Sequence, residues 1–587
     1  MTSYRLVLEP RGSLKVGGYS TTQRSSSTTA LDAQGLLIPA SAIKGALRES
    51  AARLVRGNGG TVRGHQTPHP PGSSVDDVVG QLFGHFDVHP GKLRVGPMRP
   101  VSGAKEPLAL RHHVTLDRAT RQAAHQRLFD VEVTPSGCGL RFEGSLEVLT
   151  ELDPEEKGLL DAAVRITDQV GGGRGHGLGV VRLEMEETPE PELEDMTEAG
   201  AVASDRETED AIASGSILLE LRACEPLQLG AGRNAGNLEQ TDEHIAGSVT
   251  RGAVAAVLAR TLPADSRDRV LEEVFGGPRP AVFGVGRVGG GAIPAPTTLR
   301  VPKAGAIAGG AVDRALDLTV EALGLEGASP PPDTRAAKGT WAKANTWTQL
   351  KVPRRLITRS ARDPLDGRAS AGQLFSIEIL DPDFAEDTNL CFEVPVEGTP
   401  EQLRHIVTAT REGLTVGGTR GRGLGRLELE EVRSRGDASP ADRHRAWVEA
   451  LVERGVERDR ARSTGCVLAV GFLGVSQERL RALLDVHGLE LLGGETRRHH
   501  LGGWNTRKNL PRTATGGFAM GSVFLVRVQS GGDASPALAA LEAQGIGPGR
   551  ADGWGRVMIC HPIHLETRAT SDTHQESNSA TETRRPQ

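Results

Sequence analysis

Three glycine-rich segments share one pattern, G-x-x-R-x-x-G-x-G, and this recurrence constrains the fold more than any other feature of the 587-residue chain. They run from Gly171 to Gly179, Gly417 to Gly425 and Gly547 to Gly555, with Arg174, Arg420 and Arg550 at their centres. A strand-like run follows each: VVRLEME, RLELEEV and RVMICHP. Helix-like segments such as EEKGLLDAAVRITDQV precede the first two. One glycine loop is weak evidence, whereas three at one spacing predict repeated domains. The length agrees, being too great for one core and suited to about three or four domains.

Other patterns recur in the first two repeats. The segment Ile38–Ala46 (IPASAIKGA) matches Ile245–Ala253 (IAGSVTRGA), and each opens an apolar-periodic stretch, so Ser41 and Ser248 fall where helix N-caps are expected. A Phe-Gly pair follows, Phe83-Gly84 and Phe275-Gly276, and then a short strand. Leu128-Phe129-Asp130-Val131-Glu132 matches Leu374-Phe375-Ser376-Ile377-Glu378. All of these elements keep the same order in both halves. The expected division is a first domain over 1–186, an acidic linker over 187–214, a second domain over 215–434, and a third over 435–566 led by a helix within 440–463. Residues 301–345, rich in Gly, Ala and Pro, read as a long insertion loop, and 567–587 as a disordered tail.

The net charge of −6 argues against a nucleic-acid partner until it is divided by region. Residues 187–210 carry a local charge of −9, which leaves the remainder at +3. Arg dominates the basic residues and suits phosphate oxygens, although genome composition explains an Arg-rich chain equally well. No run of 18 apolar residues suggests a membrane span, and the first residues read as a strand and not a signal peptide, so a cytoplasmic location without membrane contact is expected. Five scattered cysteines (Cys138, Cys224, Cys391, Cys466, Cys560) include no C-x-x-C pair and read as buried small apolar residues.

A nucleotide fingerprint needs strand, glycines, then helix, so that phosphate meets the helix N-terminus; here the order is helix, glycines, strand. The loops are therefore read either as close-approach sites for a nucleic-acid backbone or as turn geometry alone. Candidate RNA contacts are Ser41, Lys44, Arg48, Arg174, Ser248, Arg251, Arg420, Arg422, Arg507, Arg512 and Arg550. Aromatic residues are only 3%, which disfavours a broad stacking platform. Trp504, beside Arg507, Lys508 and Arg512, either stacks a base or fills a core. His65, His69, His85 and His89 have paired spacing, but Asp87 is their only nearby carboxylate and no cysteine joins them, so no metal site is expected. His112 and His113, next to Arg111, are either acid–base candidates or simple phosphate or structural contacts.

These residues resemble the RAMP superfamily of CRISPR-associated proteins. Residues 4–186 are similar to the Csm-type backbone subunit of type III complexes through Leu14–Gly18, Ile38–Gly45, Leu82-Phe83-Gly84, His113–Thr120 and Leu128–Glu132. Residues 216–565 are similar to a two-domain subunit of type III-D systems through Leu227–Gly230, Thr241, Ile245–Ala253, Gly502–Asn505, Leu510–Arg512 and Gly521–Val523, with Ala246 standing where proline is usual. The resemblance implies an α+β fold of three ferredoxin-like or RRM-like copies, each an antiparallel sheet with helices on one face. It implies a natural fusion of the two subunits that binds guide CRISPR RNA, positions target RNA and joins other type III effector subunits, including the large polymerase-like one. The alternative is a metal-dependent endoribonuclease. The family's catalytic aspartate falls near Ser26, which cannot hold a cation as a carboxylate does, leaving Asp32, His112 and His113 as weak catalytic candidates. No cofactor is expected, with Mg2+ needed only by a nuclease.

Overall fold

The computed structural model describes residues 3–565 except 18–30, 33–34, 63–76, 85–90, 102–107, 118, 137–138, 189–204, 236, 303–311, 328–333, 337–340, 344–351, 363–368, 383–389, 437, 503, 506–509 and 512. Three antiparallel sheets arise from the same run of strand, helix, two strands, helix and strand. The first comprises β1 (Ser3–Pro10), α1 (Ala40–Gly57), β2 (Leu93–Val95), β3 (Phe142–Val148), α2 (Pro154–Ile166) and β4 (Val181–Thr188). The second comprises β5 (Ser216–Ala223), α3 (Gly247–Thr261), β6 (Val282–Phe283), β7 (Cys391–Glu397), α4 (Pro400–Arg411) and β8 (Arg426–Ser434). The third comprises β9 (Thr464–Ala469), α5 (Gln477–Val486), β10 (Leu489–Glu495), β11 (Val523–Val528), α6 (Ser535–Gln544) and β12 (Val557–Ile559).

Their spatial orders are β2-β3-β1-β4, β6-β7-β5-β8 and β10-β11-β9-β12. In each sheet the first and third strands lie at the centre, an order found in ferredoxin-like folds. The architecture is thus mixed α and β, with several sheets consistent with that fold. Each sheet has its own hydrophobic cluster. Strand β5 shows how: Ile217, Leu219, Leu221 and Ala223 alternate inward as its pleat requires, and all four are buried. Helices α2 and α4 each begin with proline behind a reciprocal capping box, Asp153 with Glu156 and Thr399 with Gln402.

Helices α1 and α3 start differently from the expectation. Their N-caps are Pro39 and Ala246, in extended backbone with no side-chain cap, and Ser41 and Ser248 are each the second helical residue. Proline's fixed φ already supplies the entry geometry at Pro39, so the serine hydroxyl is displaced into the first turn. The paired Phe-Gly motifs end two further helices, Val78–Phe83 and Ala264–Phe275, just before β2 and β6.

Between the second and third strands of every sheet a hairpin is inserted: Ala109–Leu116 with Ala123–Val133, Arg354–Arg362 with Ala369–Leu380, and Arg498–Leu501 with Thr515–Phe518. The matched Phe129 and Phe375 lie on the second strands of the first two, opposite His113 and Arg359.

Two segments are more structured than their composition suggests. Within the expected acidic linker, Asp205–Ala213 is a helix that buries Ala211 and Ile212 in the second cluster. Within the expected insertion loop, Ala315–Ala322 is a helix whose Ala315, Leu316 and Val320 join the third cluster. Both reverse the loop reading for the same reason: a few apolar residues at helical spacing outweigh polar flanks once a core accepts them. Among the cysteines, Cys466 and Cys560 are fully buried as expected, whereas Cys224 and Cys391 are half-buried, and Cys138 lies outside the described residues. No described helix is long and apolar enough to cross a membrane.

Candidate nucleic-acid interface

The three glycine loops have one backbone. In each, a single 3₁₀ turn carries the central arginine: Arg174–His176, Arg420–Arg422 and Arg550–Asp552. Left-handed residues flank each turn, at Gly173 and Gly177, Thr419 and Gly423, and Gly549 and Gly553. The outer glycines have a packing reason. A Cβ on Gly179, Gly425 or Gly555 would lie 2.3, 2.2 or 2.6 Å from the carbonyl oxygen of Val170, Val416 or Ile546. Turn geometry therefore accounts for the glycines, and the side chains on the turn are left to carry any chemistry.

The second and third loops each dock on the unit that precedes them in the chain. Gly423 presses on the start of α1, where a Cβ would sit 2.6 Å from Ala40 Cβ and 3.4 Å from Pro97. Gly553 presses on β6, where a Cβ would sit 2.7 Å from the Phe283 carbonyl oxygen. The first loop docks on nothing described: Gly177 has the same backbone, but no described atom lies within 4 Å of its Cβ position. Arg174 is drawn back to its own unit, donating to Glu49 at 2.6 Å and to the Gly171 carbonyl at 3.3 Å.

At the first junction, Lys44 is buried on α1 and donates to the Leu93 carbonyl at 2.8 Å. Burial, reinforced by the nearby Arg422 and Arg48 charges, pushes its pKa down to about 7. Arg48 donates to the Gly84 carbonyl at 2.5 Å, and burial lowers its pKa also. Arg420 is exposed and has no partner among the described residues. Lys44, Arg48 and Arg422 are thus gathered where α1 meets the second loop, with Arg420 on the same turn as Arg422. Beneath them the buried Arg94 bridges the two units, reaching Glu225 at 2.7 Å and Glu147 at 2.9 Å.

The second junction has the same backbone and different charges. Arg251, which occupies the position of Lys44, donates to Asp552 at 3.1 Å and to the Phe275 carbonyl at 2.5 Å. Asp552 occupies the position of Arg422. Arg550 donates to the Ala543 carbonyl at 2.7 Å and so caps the C-terminal end of α6. Arg556 pairs with Glu397, and burial pushes its pKa down to about 10. The structure thus gives Arg251 and Arg550 structural partners.

Other expected residues are not brought to this interface. His112 is exposed on a hairpin strand, 2.5 Å from Asp130. Asp32 lies in a two-residue strand paired with Gly35–Leu36, and its side chain is outside the described residues. Arg507, Lys508, Arg512, Ser26, His65, His69, Asp87, His85 and His89 also lie outside them, and of Trp504 only the strand pairing with Pro511 is described. Among the described residues no nuclease centre is assembled. The groups that could hold a cation, Glu220 with Cys391 and Glu430, and Glu273 with Glu401 and His405, include none of the catalytic candidates. Sequence reasoning missed Arg94, Glu225, Asp552 and Arg556. Only Asp552 left a signal, as an acid where the other two loops carry His176 and Arg422.

The family model for the RAMP superfamily matches residues 32–182, so a RAMP superfamily domain is present there. No curated protein matches the chain. The domain supports an RNA-binding, CRISPR-associated role in general terms.

Proposed function

We propose that the chain is a guide-RNA-binding subunit of a type III CRISPR effector complex, built from three RAMP units in tandem. The observation that carries this reading is the first junction, where Lys44, Arg48 and Arg422 come together beside Arg420, which is exposed and has no partner among the described residues. Guanidinium groups set on a rigid turn, beside those of a helix, suit phosphate oxygens and carry no base specificity, so sequence selection passes to guide–target pairing. The face of Gly177, which no described residue covers, suits docking of another effector subunit, since the two later loops use that same face within the chain. The first hairpin, which exposes Leu110, Val114 and Leu116, offers a second contact for RNA or a neighbouring subunit.

The test is to purify the chain with a co-expressed repeat array and partner subunits and sequence the RNA that accompanies it. Uniform repeat-derived guides are expected, with at least about tenfold loss in the Arg420→Ala, Arg422→Ala double variant. Heterogeneous RNA, or none, sinks the reading.

A further inference from the structure

The two junctions share a backbone but treat charge in opposite ways, and this difference points beyond simple RNA binding. We propose that the first junction takes up a proton as it binds an RNA phosphate, the proton going to Lys44, whereas the Arg251–Asp552 bridge closes the equivalent place in the second. This rests on the RNA-binding reading and adds a regulatory property to it.

The geometry is specific. The Lys44 side chain is almost fully buried, yet only its bond to the Leu93 carbonyl is fixed, so an ammonium there has further donors to offer. The charges facing it come from several elements. Arg48 lies on α1 itself, and Arg422 on the docked turn. On β2, Arg94 is turned to Glu147 and Glu225; just before that strand, Lys92 is paired at 2.6 Å with Glu156 of α2. Asp77, which caps the short helix before β2, acts on Arg48. Among the described residues no carboxylate stabilises the Lys44 ammonium, and both charges that act on it are positive. In the free protein near pH 8 the amine is therefore largely neutral. A phosphate at the Arg420–Arg422 turn adds a negative charge near Lys44 and favours the protonated form. One proton moves from solvent to Nζ, and no bond to phosphorus changes. At the second junction the same position already holds an internal anion, Asp552, so Arg251 has no comparable demand.

The experiment uses the full chain and a fluorescein-labelled single-stranded RNA at fixed ionic strength, with affinity measured from about pH 6 to 9. Calorimetry in buffers of different ionisation heat counts protons on the unaltered protein. Affinity should be level below about pH 7 and fall above it, by up to about tenfold per unit, with net proton uptake near pH 8. Lys44→Arg, which stays charged, should bind with a flat profile, its folding checked by thermal melting. A wild-type profile that is flat, or one whose slope survives Lys44→Arg, overturns the proton coupling. If Arg422→Ala still weakens binding in that case, the RNA interface stands without it. RNA bound at no pH overturns both. Equal proton uptake with free adenosine monophosphate would place a mononucleotide, not RNA, in the site.

Discussion

The first and second junctions are near copies in backbone and near opposites in electrostatics. In both, a glycine of the later unit seats against the earlier one, and an arginine on the earlier unit's first helix holds the end of the Phe-Gly helix: Arg48 on Gly84, Arg251 on Phe275. In both, a glutamate at the end of the third strand, Glu147 or Glu397, receives a buried arginine. That arginine comes from the earlier unit at the first junction, as Arg94, and from the later unit at the second, as Arg556. The difference teaches that docking is fixed by glycine sterics, while side chains one turn away decide whether the seam holds the Arg251–Asp552 ion pair or gathers Lys44, Arg48 and Arg422. A half-buried pair such as Arg251 with Asp552 adds little net stability but satisfies both charges.

The comparison breaks most severely if the bridge beneath the first junction is removed. Glu225→Ala leaves Arg94, which is 3% exposed, with Glu147 alone, and losing one partner of a buried pair costs about 3–5 kcal/mol. Thermal unfolding followed by limited proteolysis should show the first two units separating before the last two; loss of all three together would contradict the comparison.

A second test uses pH. The Lys44 pKa is lower in the folded chain, about 7 against 10.5, so the unfolded chain binds more protons between these values and stability rises with pH through that window. The slope is at most about 1.4 kcal/mol per unit. Buried thiols act oppositely above about pH 9, because the Cys560 thiol is pushed up to about 12 by burial and ionises only on unfolding. Melting temperature should therefore rise from about pH 7 to 9 in the wild type, and Lys44→Met should remove that rise.

The smallest effect sharpens the steric half. Gly177 and Gly423 have nearly equal φ, 76° and 74°, but among the described residues only Gly423 meets another unit. Alanine at either position pays for left-handed backbone, about 1–2 kcal/mol, and at Gly423 the clash with Ala40 adds about 1–3 more. Equal melting losses for Gly177→Ala and Gly423→Ala would show that the first junction is not seated as described.

Much of this was legible in the sequence because it is local. The glycine spacing specifies a turn within nine residues, and the Ser-x-x-Lys/Arg-Gly match falls on α1 and α3 at equivalent places. What joins the units was not legible. Arg251 and Asp552 are 301 residues apart, and only tertiary docking makes them neighbours. Roles for Arg550 and Arg174 were also unreadable, since the same motif arginine caps a helix in one loop and pairs with Glu49 in another. The helix at Asp205–Ala213 was hidden by its acids, because burial of Ala211 and Ile212 depends on a surface supplied by the rest of the second unit.

Covalent connection through residues 189–204 has a consequence of its own. Joined by one chain, the first unit and the second loop meet at an effective concentration on the order of millimolar, whatever the amount of protein in solution. A seam that gathers cations would be weak between separate molecules, since like charges oppose it until an anion arrives. Tethering lets such a seam stay assembled, so an RNA phosphate bound as proposed would meet a finished receptor, and association with it need not wait for two proteins to find each other.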